Sequence, residues 1–205
     1  MESACAAACT TLPDEMPVMF LADCHLFPGC LLPLFIFEER YRLMLAHTLG
    51  AQRMFCICNR EADDEDAPAR EFTTAGLVRA CVKQCDGTSQ LLLQGITRIR
   101  IKRWVQLEPF PIAEIERVQT IVGDALLIAP LKARALELFA HSGKEEHAQK
   151  LCEFLTLHDN DELVCDVLSY HFTRCPKLQR KLLEEVSLEA RYEMMIAAME
   201  KHGGK

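Results

Sequence analysis

The chain has 205 residues, of which half are apolar and 26% are charged, and its formal net charge is -7 with a pI near 5.5. So many apolar residues can bury a sizeable core, which argues against disorder over most of the chain. The acidic balance argues against non-specific attraction to nucleic acid or to anionic membranes, and no apolar run approaches the roughly 18 residues of a membrane span. The composition predicts a protein that stays in water.

Residues 1–15 (MESACAAACTTLPDE) predict a loose tail. They lack the basic start and the long apolar stretch of a secretory signal. The eleven cysteines of the chain are odd in number and irregularly spaced. Without an export signal they fit reduced thiols in the cytoplasm better than a disulfide framework, so we expect a cytoplasmic protein.

Residues 16–120 predict a β-rich domain, because short apolar or alternating runs are separated by Gly, Pro and Asp. One helix is expected within it. Glu38 and Glu39 occupy its first turn, an apolar stripe follows at helical spacing, and Gly50 can end it in a left-handed conformation. Residues 53–59 then predict a buried strand, and the acidic run 61–70 predicts a solvated loop.

The next segment predicts a β-hairpin, with strands over 77–84 and 90–104 and a tight turn at Asp86-Gly87. The returning strand alternates, which places Arg98, Arg100 and Lys102 outward. Such a basic row could follow a phosphate backbone, and it is the feature that supports nucleic-acid binding. The other interpretation, which the acidic composition favours, is a solvated strand face that blunts edge pairing.

Residues 121–205 predict a helical subdomain, because the apolar residues now recur at spacings of three and four. The break at Cys175-Pro176 and the capping hydroxyl of Ser187 divide the region into about four helices.

Catalytic motifs are missing from the sequence: it contains no P-loop, no G-x-S-x-G elbow and no H-E-x-x-H pair. Cys56, Cys58, Cys81 and Cys85 could supply four thiolates to zinc, although the spacing is not that of C-x2-C knuckles, and buried strand cysteines are ordinarily small apolar residues. A thiol enzyme would need a nearby histidine, and His25 is more simply a loop or surface residue.

Four stretches carry a resemblance to a known family. They are LFPG at 26–29, PLFIFEERYR at 33–42, GLVRA at 76–80 and LLLQGITRIRI at 91–101. A fifth stretch, QRKLLE at 179–184, is similar to a lesser degree. In order and spacing they resemble the N-terminal, substrate-binding domain of Lon proteases, over about residues 16–200. The same domain occurs in cereblon-type proteins and in small stand-alone bacterial proteins, and this chain resembles the stand-alone kind.

The resemblance implies an α+β fold: a PUA-like β-pseudobarrel with one inserted helix, followed by a C-terminal α-helical bundle. It also implies a non-catalytic module that recognises proteins or peptides, because neither the ATPase module nor the Ser-Lys protease domain of full-length Lon is present in the chain. No cofactor and no metal are expected. The expected partners are unfolded or apolar protein segments, with an ATP-dependent protease as a further partner if the chain is an adaptor or regulator.

The candidate peptide-binding residues are Phe27, Pro28, Phe35, Arg40 and Tyr41. Phe35 and Tyr41 can equally be core residues. Two alternatives stay open: RNA binding through the row of Arg98, Arg100 and Lys102, and a small thiol or metal enzyme.

Overall fold

The computed structural model describes residues 11–59, 72–142 and 146–203. The acidic run 61–70 and most of the predicted N-terminal tail lie outside the described residues.

Within the described residues, six strands form one mixed sheet in the order β2-β5-β4-β3-β1-β6, and an additional pairing between β5 and β6 closes it on itself. The strands are β1 (Glu15–Phe20), β2 (Leu31–Ile36), β3 (Met54–Cys58), β4 (Phe72–Lys83), β5 (Ser89–Gln106) and β6 (Ile112–Arg117). The closure leaves β2 as an edge strand, which suits the proline at position 33 because that residue has no N–H to donate to a further strand. The α+β class predicted from the sequence is confirmed.

The predicted hairpin is present as β4 and β5. Gly87 takes a positive φ of 84°, and the carboxylate of Asp86 accepts a hydrogen bond from the backbone N–H of Thr88 at 2.9 Å. The strand predicted over 53–59 is also present, as β3. The turn and the alternation therefore specify this part of the sheet locally.

The inserted helix α1 spans Glu39–Gly50, as predicted. Its end differs from the expectation, because Gly50 stays helical and does not take the left-handed conformation. The positive φ falls instead on Arg53, at 61°, whose N–H donates to the carbonyl of Thr48. The chain thus turns out of the helix three residues later than the glycine suggested.

The C-terminal part contains five helices among the described residues, where about four were predicted: α2 (Ala125–Ser142), α3 (Glu146–Thr156), α4 (Asp161–Phe172), α5 (Pro176–Glu184) and α6 (Leu188–Gly203). An additional break arises at Asn160, whose side chain caps α4 by accepting from the N–H of Leu163. The predicted break at Pro176 and the Ser187 cap on α6, through the N–H of Ala190, are confirmed.

The part of the chain that the structure describes contains three apolar core clusters. Two of them lie within the β part, and the third belongs to the helices. The helical cluster includes Phe27 and Cys30 from the loop between β1 and β2, so this loop packs into the helices. We call the contact between the β part and the helices the seam.

The strands end at Arg117 and the helices begin at Ala125, where the pattern in the sequence changes. The division into two domains near residue 120 stays a prediction. Within the described ranges, no helix is both long and apolar enough to cross a bilayer.

Candidate functional site: an apolar groove on the outer sheet face

The outer face of strands β2, β5 and β4 carries a run of apolar side chains. Residues directly opposite each other in antiparallel strands project to the same face, and so do residues two apart on one strand. Two rows therefore share this face: Phe35, Gln90 and Val82 form one, and Pro33, Leu92 and Ala80 form the next. The neighbouring positions Ile36, Leu91 and Leu93 project the other way, into the core.

Five of these six residues line a groove of ≈ 410 Å³, which we call the outer groove: Pro33, Phe35, Ala80, Gln90 and Leu92. Of the described residues that line it, Gln90 alone has a polar side chain. At its rim Phe35 is 53% exposed and Phe37 is 60% exposed, and their rings stack with centroids 5.9 Å apart. The two rings lie on one face of an extended segment because their positions differ by two. Exposed, pre-stacked aromatic rings offer large contact area at a low cost in side-chain entropy.

Two apolar residues continue this face beyond the groove. Val82, at the end of one row, is 60% exposed, and Leu31, two positions before Pro33 on β2, is 47% exposed. Single exposed apolar side chains are ordinary, but contiguous ones are typical of interaction sites. The motif resemblance did not point to Val82 or Leu31, although the period-two pattern of their strands could have identified both.

The five sequence candidates separate into two groups. Phe35 and Arg40 are exposed, and the guanidinium of Arg40 lies 2.9 Å from the carboxylate of Glu38 and 4.5 Å from the ring centroid of Tyr41. Phe27, Pro28 and Tyr41 are buried. These three side chains are therefore part of the packed interior, where a peptide on the surface would not contact them.

The burial of two of them has a clear cause. Phe27 is fully buried in the helical cluster, with its ring 6.3 Å from that of Tyr170. The hydroxyl of Tyr41 accepts a hydrogen bond from the N–H of Phe20 at 3.2 Å, which fastens α1 to β1. Each aromatic side chain thus joins two elements that are distant in the sequence.

The prediction that Arg98 belongs to an outward, solvated basic row is wrong. The alternation of β5 is as predicted, but the helices cover this end of the face. Arg98 is 2% exposed and its guanidinium binds both carboxylate oxygens of Asp166 on α4, one of them at 2.6 Å. Arg191 on α6 donates to the same carboxylate at 2.8 Å, and Glu162 lies 3.4 Å from Arg98.

The rest of the basic row is neutralised by strand β6. Arg100 is paired with Glu116, and Lys102 is paired with Glu114, which also contacts Arg103 at 2.6 Å. The pairing with Glu114 raises the pKa of Lys102 through a hydrogen bond and charge attraction. A row whose charges are already paired offers little to a phosphate backbone, so no observation favours RNA binding.

The four cysteines considered as zinc ligands do not converge. Cys56 and Cys58 are fully buried in one β cluster, and the thiol of Cys56 faces the carbonyl of Pro17 at 3.7 Å. Cys81 packs against the other β cluster, and Cys85 is exposed. In the described part of the chain no three His, Cys, Asp or Glu side chains form a group that could hold a metal.

The histidine considered for a thiol enzyme, His25, does not lie where the sequence suggested. His25 is not a surface residue, since it is 7% exposed at the seam. Burial raises the pKa of the Cys24 thiol beside it, so this thiol stays protonated and is a poor nucleophile. All nine cysteines within the described ranges are free.

The sequence model of a known family matches residues 15–201, which is most of the chain: the substrate-binding domain of the ATP-dependent protease La (LON). The chain belongs to this family.

Curated relatives are Lon proteases. The chain is 30% identical to that of Desulfovibrio desulfuricans over 119 residues, covering 56% of this chain and 14% of the relative. It is 25% identical to that of Brucella abortus over 190 residues, covering 89% of this chain and 23% of the relative. The chain thus spans less than a quarter of the length of these relatives.

Two solved structures share the fold. The N-terminal domain of Mycobacterium avium complex Lon protease superposes with a TM-score of 0.75 at 17% identity, covering 92% of this chain and 99% of that one. The Lon N-terminal domain protein of Xanthomonas campestris gives a TM-score of 0.56 at 20% identity, covering 89% and 97%.

Proposed function

We propose that this protein recognises exposed apolar segments of unfolded proteins through the outer groove. The observation that carries the proposal is the stacked, half-exposed pair Phe35 and Phe37 at the rim of the groove, in a chain that belongs to a substrate-binding family. Binding removes apolar surface from water, at about 25 cal/mol per Å² before the ordering of the bound segment is subtracted.

The recognition acts through side chains more than through strand addition. Pro33 removes one backbone donor from the free edge of β2, and the hydroxyl of Tyr170 donates to the carbonyl of Leu31 at 3.4 Å. A peptide strand added at this edge would therefore lack a backbone donor at Pro33 and would meet an already hydrogen-bonded carbonyl at Leu31. Apolar contact is tolerant of sequence, which suits a protein that binds many unfolded clients.

The activity proposed is binding without catalysis. A role as an adaptor or regulator in ATP-dependent proteolysis follows if the captured segment is passed to a protease, since the relatives are named as proteases.

The test is binding of a permanently unfolded model protein, carboxymethylated α-lactalbumin with a fluorescent label, followed by anisotropy. We expect Phe35→Ser and Phe37→Ser each to weaken binding by about 10-fold, the size of a central aromatic contact. Phe154→Ser is the matched control, because Phe154 is 61% exposed but lies on α3. Equal affinities for all four proteins would remove the outer groove from the proposal.

A further inference from the structure

A second cavity, of ≈ 390 Å³, opens at the seam and has a different character. We call it the seam cavity. Its size is near the lower end of small-molecule sites, which run from about 300 to 1,000 Å³. The β part and the helices both contribute to its wall: Asp23, Cys24, His25 and Leu32 from the first, and Tyr170, His171, Thr173, Arg174 and Gln179 from the second.

The cavity carries one charge of each sign on opposite sides of the seam. Asp23 comes from the loop between β1 and β2, and Arg174 comes from the turn between α4 and α5. Both side chains are exposed, and within the described part of the chain neither forms an ion pair with the other or with any other residue. The wall therefore presents a free carboxylate and a free guanidinium to the same small volume.

A buried polar side chain that lacks an ordinary hydrogen bond lines the same cavity. His25 is 7% exposed, and among the described residues neither of its ring nitrogens makes a hydrogen bond of ordinary length and angle. The side chain of Gln179 lies beside the imidazole, but its amide nitrogen already donates one of its two N–H groups to the carbonyl of Thr173 at 2.7 Å. An unsatisfied buried polar group costs free energy, which a ligand that supplies the missing hydrogen bond recovers.

We propose that the seam cavity binds a small zwitterion of the α-amino-acid class, whose carboxylate pairs with Arg174 and whose ammonium group pairs with Asp23. A guanidinium and a carboxylate form charge-assisted hydrogen bonds, and so do the ammonium group of the ligand and the carboxylate of Asp23. A side-chain carboxamide supplies both a donor and an acceptor for His25. The ligand would join the β part to the helices. The site is separate from the outer groove, and its ligand is independent of the proposed function.

Three probes that differ by one charged group test the pairing: L-glutamine, L-glutaminamide, which lacks the carboxylate, and glutaramate, which lacks the ammonium group. Binding is measured by calorimetry and by the rise in Tm that a ligand of the folded state produces. We expect L-glutamine to bind at least about 10-fold more tightly than either analogue, since each analogue loses one charge-assisted pair. L-leucine should also bind less tightly, because it offers His25 no hydrogen bond.

Two variants assign the pairs. Arg174→Gln should bind L-glutamine and L-glutaminamide equally, and Asp23→Asn should bind L-glutamine and glutaramate equally. Asparagine tolerates the positive φ of 54° at position 23, so the loop keeps its shape. Lys181→Gln and Asp159→Asn are the controls, because both residues are exposed and neither lines the cavity. Both should keep the discrimination of the unaltered protein.

The proposal is overturned if L-glutamine produces neither heat nor a shift in Tm at up to about 10 mM, a range that covers weak metabolite binding. It is also overturned if the three probes bind alike, or if Arg174→Gln and Asp23→Asn still discriminate between them. Leucine binding as tightly as glutamine would overturn the contribution of His25.

Discussion

Arg98 and Arg100 stand two residues apart on the same face of β5, yet they have opposite environments. Arg98 is 2% exposed and is held at the seam by Asp166, while the side chain of Arg100 is 42% exposed and is paired with Glu116. The two regions also differ in the kind of group they hold. At the seam the buried ion pairs of Arg98 and Arg191 with Asp166 are removed from water, whereas the outer groove leaves apolar groups in water.

This contrast indicates which substitutions should affect stability and which should affect binding. A buried charge without a counter-ion is costly, because desolvation is no longer offset. An exposed apolar residue contributes little to stability, since it is hydrated in both states, and it is therefore free to serve binding. Substitutions that break the buried ion pairs of Asp166 should change the free energy of unfolding, and substitutions at the outer groove should not.

The largest effect is expected for Asp166→Ala. It leaves Arg98 and Arg191 buried with only the partly exposed Glu162 nearby, and should lower the free energy of unfolding by about 3–5 kcal/mol. Chemical denaturation measures this. The matched change at the surface, Glu116→Ala, removes the partner of Arg100 and should cost less than about 1 kcal/mol. Similar losses in the two variants would contradict the contrast.

A smaller loss is expected for Gly95→Ala. A Cβ atom at this position would lie 2.1 Å from the carbonyl oxygen of Phe27, so the loop that packs into the helices has to shift. The cost should be about 1–3 kcal/mol, typical of overpacking. Gly50→Ala is the control, because a Cβ there meets nothing within 4 Å, and it should be neutral or raise stability by up to about 1 kcal/mol. Denaturation midpoints that fall equally in both variants would argue against the close approach.

A pH effect is expected from His25. Burial lowers its pKa from the ordinary value of 6.5. The side chain of Gln179 and the charges of Asp23 and Glu184 oppose this lowering of the pKa, and the charge of Arg180 adds to it. The unfolded chain therefore binds a proton more readily, so stability should fall as the pH drops below about 6.5, with a slope of at most about 1.4 kcal/mol per pH unit for one group. His25→Gln should reduce this slope in denaturation experiments at pH 5.5–7.5, a window set by the ordinary pKa of histidine. An unchanged slope would show that His25 titrates as in the unfolded chain.

The smallest effect on stability is expected for Phe37→Ser, although the same change should weaken client binding. Its side chain is 60% exposed, so the free energy of unfolding should change by less than about 0.5 kcal/mol. Thermal unfolding and anisotropy on the same preparation separate the two quantities. A large loss of stability would mean that the stacked aromatic pair serves the fold rather than a ligand.

The helix α1, the β4–β5 hairpin and strand β3 could all be predicted from the sequence, because a turn such as Asp86-Gly87 or an apolar period is a local signal. The shared face of Phe35 and Phe37 followed from the same period. The exposure of Arg98 could not be predicted, since the carboxylate that binds it is 68 positions away, at Asp166. The position of His25 could not be predicted either, because the seam cavity also needs residues 170–179.

The sequence by itself determined the β-to-helix order of the chain, the alternation of its strands and its membership of a substrate-binding family, because these depend on residue spacing and on motifs. Only the tertiary structure decided which strand faces the helices cover and which stay in water. That choice depends on long-range packing: a basic or aromatic residue has the same local pattern whether a helix lies over it, as at Arg98 and Phe27, or solvent does, as at Arg100 and Phe35.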